Sequence, residues 1–76
     1  MAYYGKRKWL EALRKQKGWS QARLGAEIGV SQTQYLYIEK GYRDPSQEMK
    51  KLIADQLGID VETFDRNDAE MRRRTA

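Results

Sequence analysis

Residues 20–41, SQARLGAEIGVSQTQYLYIEKG, read as two short helices joined by a tight turn. Leu24 and Ile28 lie four apart on the first helix and share one face. Gly29 stops that helix, because glycine enters the left-handed conformation without a Cβ clash. Val30 is the apolar plug of the turn. Ser31 opens the second helix, and Gln34 stands three residues on, the spacing of a capping box. Tyr35 and Ile38 keep the second helix against the first. Gly25 is small where the two helices cross. What remains of the second helix, Gln32, Thr33, Gln34, Leu36 and Tyr37, is mostly polar and uncharged. A helix that meets base edges in a DNA major groove needs such a surface.

The pattern extends on both sides of this stretch. Upstream stand Leu13-Arg14 and Gly18-Trp19-Ser20-Gln21. Downstream stand Asp44-Pro45-Ser46, Ile53-Ala54 and Leu57-Gly58-Ile59. Together with Ala22, Leu24-Gly25, Ile28-Gly29-Val30, Ser31, Tyr35, Ile38-Glu39 and Gly41, these positions resemble the helix-turn-helix of the phage repressor and Cro type, the xenobiotic-response-element family of bacterial regulators. The resemblance implies an all-α, compact five-helix fold of the lambda-repressor kind, with the helix-turn-helix at helices 2 and 3.

Seventy-six residues suffice for one small domain with a thin core. The chain has no cysteine and no histidine. It therefore lacks a disulfide framework, the commonest general base and the commonest metal ligands. No cofactor and no metal are expected. No apolar run approaches the length of a membrane span, so no membrane partner is expected and the cytoplasm is the expected compartment. Charge is uneven. Residues 1–43 carry nine Lys or Arg against three Glu, and residues 44–76 carry six against eight acids. The helix-turn-helix thus lies in the basic half, as a phosphate-binding domain requires.

Helical spacing divides the chain into an N-terminal arm (1–5) containing Tyr3 and Tyr4, a DNA-binding domain (6–64) and a charged, flexible tail (65–76). Within the domain, the expected helices run about 6–17, 21–28, 32–40 and 47–57. Asp60 caps a last short turn through Phe64. The expected core is Leu10, Leu13, Leu24, Ile28, Val30, Ile38, Ile53 and Leu57. On the fourth helix, Met49 and Leu52 take over the inward role that relatives give to the positions of Gln47 and Lys50. Lys6 stands where relatives often have an aliphatic residue, a gap that Tyr3 or Trp9 would cover.

The resemblance assigns roles residue by residue. It implies base contacts for Gln32, Thr33 and Tyr37. Their residue types suit the task, since Gln pairs with adenine and the Thr methyl meets thymine. It implies phosphate contacts for Gln21 and Ser31 at helix N-termini, and for Lys40, Tyr42 and Arg43 in the loop after the recognition helix. Arg14 and Glu39 correspond to the family's structural ion pair. A partner would also explain a glutamate at a helix C-terminus, where the dipole disfavours it. Lys6, Arg7 and Lys8 are read as further backbone contacts or a flexible arm. Arg72, Arg73 and Arg74 read as a solubilising terminus. Val61 and Phe64 are the expected dimer interface.

The expected function is a sequence-specific DNA-binding transcriptional regulator, a repressor of phage, prophage or mobile-element type. It would bind a palindromic operator in double-stranded DNA as a homodimer and be monomeric or weakly dimeric when free. The alternative is an antitoxin or anti-repressor that uses the same fold to grip another protein. An enzyme is not expected. The chain has no paired carboxylates in a plausible cleft and no phosphate-binding glycine loop.

Overall fold

Serines start three of the helices. In the computed structural model, which describes residues 5–75, Ser20, Ser31 and Ser46 each stand in extended backbone before a helix. Their hydroxyls accept from the backbone N–H of Arg23 (3.0 Å), Gln34 (3.1 Å) and Met49 (3.2 Å). Each satisfies a donor that a helix N-terminus otherwise leaves open. The helices are α1 (Lys8–Gln16), α2 (Gln21–Glu27), α3 (Gln32–Lys40), α4 (Gln47–Leu57) and α5 (Val61–Thr75). No strand occurs among the described residues. Of the expected arm only Gly5 is among them, so any cover of Lys6 by Tyr3 lies outside the described residues.

The core is one cluster of Leu10, Leu24, Ile28, Tyr35, Ile38, Ile53 and Phe64, with Trp9, Trp19, Val30, Met49, Leu57 and Ile59 at its margin. Burial of such side chains supplies most of the drive to fold, roughly 1.5–3 kcal/mol each. Three expected core residues, Leu13, Val30 and Leu57, are only half-buried. Leu52 is 44% exposed, which corrects its inward assignment. The inward face of α4 is Met49, Ile53, Ala54 and Leu57. Lys50 lies beside that face without spoiling it. Its ammonium sits 5.8 Å from the Phe64 ring and reaches out to Asp65 at 2.8 Å.

The chain does not leave the fold at Asp65. The Asp60 carboxylate accepts the Thr63 N–H at 2.7 Å and starts α5, which continues as helix to Thr75. Its inward stripe is Phe64, Asp68 and Met71, one helical face at spacings of four and three. Phe64 is fully buried, with Trp9 edge-on at 4.8 Å. It serves the core and is not available to a dimer interface. Val61 is half-buried at the first turn.

Candidate nucleic-acid interface

The second helix of the motif, α3, has a clean division of faces. Tyr35, Ile38 and Glu39 are buried, whereas Gln32, Thr33 and Tyr37 are exposed. Gln34 serves the helix itself. Its side-chain oxygen accepts the Ser31 N–H at 2.9 Å and completes a capping box. The turn before α3 closes tightly on α2. A Cβ at Gly25 would stand 3.1 Å from the Val30 carbonyl oxygen and 3.2 Å from that of Ser31. A side chain there would push the turn back by a few tenths of an ångström.

At the far end, Gly41 ends α3 with φ +83°. Any side chain there would overlap the Gly5 carbonyl, because the N-terminal segment crosses over this glycine. The loop then folds back along the helix. The N–H groups of Tyr42 and Arg43 both donate to the Tyr37 carbonyl, at 2.9 and 3.2 Å. The Tyr42 ring lies 6.0 Å from that of Tyr37. Lys40, Tyr42 and Arg43 are therefore gathered, all exposed, beside the outward residue Tyr37. Ser31 is exposed at the other end of α3.

Beneath α3, Arg14 and Glu39 meet. The guanidinium donates from Nε to Glu39 Oε2 (3.0 Å) and from Nη2 to Oε1 (3.1 Å), and from Nη1 to the Trp19 carbonyl (2.7 Å). Arg14 is 6% exposed and Glu39 1%. Hydrogen bonding to Glu39, against the cost of burial, raises the Arg14 pKa. Burial pushes the Glu39 carboxyl up, but the Arg14 bond, with help from Tyr35 and Gln21, holds it below the usual range. Gln21 is half-buried at the start of α2, so its amide borders both this pair and solvent. The Tyr35 hydroxyl is buried beside the pair but meets hydrogen-bond geometry with no partner. Burial first, then the Glu39 carboxylate, push it well above the ordinary tyrosine range.

Arg7 is the clearest departure from the sequence reading. It is fully buried and is neither a phosphate contact nor part of a flexible arm. Nε donates to both Asp68 oxygens (3.0 and 3.1 Å), and Nη2 to Asp68 Oδ2 (2.9 Å) and Asp44 Oδ1 (2.6 Å). Nη1 donates to the carbonyls of Ile38 (2.8 Å) and Arg43 (3.0 Å). The Trp9 indole N–H donates to Asp68 at 2.9 Å. Asp68 was not singled out from the sequence, and Asp44 only as a position of the family pattern. The available signal was an acid on the stripe 64, 68, 71, which requires a buried cation.

Other cations near the interface are engaged. Lys17 and Arg23 flank the Trp19 ring at 4.3 and 4.7 Å, and Arg23 also pairs with Glu27 at 2.8 Å. No group of acids able to hold a metal ion occurs among the described residues, and no helix there is long and apolar enough to cross a membrane.

This geometry matches known proteins. The helix-turn-helix family model matches residues 10–64. An uncharacterized HTH-type transcriptional regulator of Bacillus subtilis (strain 168), YqaF, is 36% identical over 58 residues, 76% of each chain. The crystal structure of the clp gene regulator ClgR from Corynebacterium glutamicum superposes with a TM-score of 0.76, covering 87% of this chain and 71% of that one. At 24% identity that likeness is one of fold. The chain belongs to the helix-turn-helix family of the repressor and Cro type, a family of DNA-binding transcriptional regulators and not of enzymes.

Proposed function

We propose that this protein is a sequence-specific repressor in the cytoplasm that reads an operator with α3. The observation that carries the reading is the outward face of α3. Gln32, Thr33 and Tyr37 offer uncharged hydrogen-bonding groups, and Lys40, Tyr42 and Arg43 flank them on one side. Base edges are read by the first set and phosphates are held by the second. Gln21 and Ser31, at the N-termini of α2 and α3, join the phosphate set. The name of a relative, an HTH-type transcriptional regulator, agrees with a role in transcription.

One such domain reads few base pairs, so two copies on the half-sites of a palindrome are needed to select one site in a genome. Val61 remains the apolar contact proposed for that pairing. The free protein is monomeric or weakly dimeric. Sedimentation with a palindromic duplex, repeated with Val61→Asp, tests it. One bound copy, or no change with the aspartate, removes this interface.

The base-reading assignment is tested by titration against single-base operator variants. Gln32→Ala and Thr33→Ala relax preference at particular base pairs by about 1–3 kcal/mol. Gln21→Ala and Arg43→Ala weaken binding to every sequence alike. Uniform losses from the α3 variants would place that helix outside the groove.

A further inference from the structure

We propose that Asp68, acting through Arg7, positions the Arg43 loop for the DNA backbone, so that α5 belongs to the binding machinery without touching DNA. The proposal rests on the reading of Arg43 as a phosphate contact. Arg43 lies between α3 and α4, where no helical ladder holds the backbone. The Arg7 guanidinium supplies what the ladder does not. It binds the Ile38 carbonyl in the last turn of α3, the Arg43 carbonyl in the loop and the Asp44 carboxylate beyond it. A rigid planar fork with three such partners fixes the loop against the recognition helix.

The fork must itself be fixed, and Asp68 does this. Both its oxygens accept from Arg7, the Trp9 indole holds it from α1, and it is only 4% exposed. Water has little access to take over that role. Arg72, one turn further along α5, stands 3.6 Å from Asp44 and 3.7 Å from Asp68. Two arginines thus balance two carboxylates immediately behind the loop.

Plain electrostatics and the positioning role differ in sign. Removing a carboxylate from a DNA-binding domain lowers repulsion of phosphate, so charge alone makes Asp68→Asn bind DNA more tightly. Positioning makes it bind more weakly. Anisotropy titrations of the full chain on a short duplex of random sequence, across a salt series, separate the two. Asp68→Asn, confirmed helical by circular dichroism at the assay temperature, is expected to lose about tenfold in affinity, the scale of one charge-assisted phosphate bond. The slope of log K against log salt is expected to fall by about one unit, as one phosphate contact is released. In the Arg43→Ala background the same substitution is expected to cost nothing further, because Asp68 acts through Arg43.

Unchanged or tighter binding by Asp68→Asn overturns the proposal, as does a loss that simply adds to that of Arg43→Ala. Where Asp68→Asn melts below the assay temperature, Asp44→Ala replaces it. Asp44 is partly exposed and ties the loop directly to Arg7, so the same weakening and the same cancellation are expected, and tighter binding overturns the proposal. An inert Arg43→Ala overturns both this proposal and the reading it rests on. An active Arg43→Ala beside an inert Asp68→Asn overturns the positioning role alone.

Discussion

Arg14 and Arg7 stand two helical turns apart, and both end against α3. Arg14 serves one carboxylate and one carbonyl, Glu39 and Trp19. It pins α1 to the end of α3. Arg7 serves two carboxylates and two carbonyls drawn from α3, the following loop and α5. It joins the helix-turn-helix half of the chain to the C-terminal half. The difference matters energetically. A buried ion pair contributes little more than a well-packed apolar replacement would, yet removing one partner is costly because the other is left charged and dry. The cost should therefore follow the number of groups left stranded.

That ranking can be broken directly. Arg7→Ala takes the guanidinium from a buried Asp68, which keeps the Trp9 indole N–H and Arg72 at 3.7 Å, and also from Asp44 and the Arg43 carbonyl, and is expected to cost about 3–5 kcal/mol, toward the upper end. Glu39→Ala strands Arg14 alone, which keeps the Trp19 carbonyl, and is expected in the lower part of the same range. Denaturant melts of the two variants decide the order. A larger loss for Glu39→Ala would mean that partner number does not set the cost.

The two arginines also differ in how far the sequence revealed them. Arg14 and Glu39 lie within the stretch where glycine stops, serine caps and apolar spacing fix the helices one after another. Their correspondence to a known pattern could be read off position by position. Arg7 is one of three consecutive basic residues, a run that ordinarily marks a wet surface. Its acidic partners lie 37 and 61 residues away. Asp68 was equally opaque. Beyond Phe64 only Met71 offers a large apolar side chain, and a stripe of one phenylalanine, one aspartate and one methionine becomes recognisable as a core face only when the aspartate's cation is known. Each half of the pair hides the other, so α5 looked like a tail.

Acid offers a weaker perturbation of the same comparison. The Glu39 carboxyl is held below its ordinary value, so its contribution is fully present above about pH 4.3, the unfolded value, and is lost as pH falls through the folded one. Asp60, held down by the Thr63 hydroxyl and then the Thr63 N–H, shifts the same way. Thermal midpoints should therefore drop as pH is lowered from 7 toward 3. In Glu39→Gln the drop should be shallower, since the group that titrates is gone. Parallel curves for the two proteins would mean that Arg14 and Glu39 do not set the acid limb.

The smallest expected effect separates two adjacent residues on α4. Spacing alone set both Leu52 and Ile53 inward, but they point about 100° apart around a helix. Ile53 is fully buried among Leu24, Ile38 and Phe64 in the core cluster, whereas Leu52 is 44% exposed. On the neighbouring face the Lys50 stem covers the edge of the core by Phe64 while its ammonium escapes to Asp65. Ile53→Ala should cost about 2–5 kcal/mol by opening a cavity in the core. Leu52→Ala should stay within about 0.5 kcal/mol, as surface substitutions do. Equal losses in a urea melt would mean that α4 is turned by one residue from the arrangement described. The face it offers to α5, and with it the seating of Asp68 behind the Arg43 loop, would then need to be redrawn.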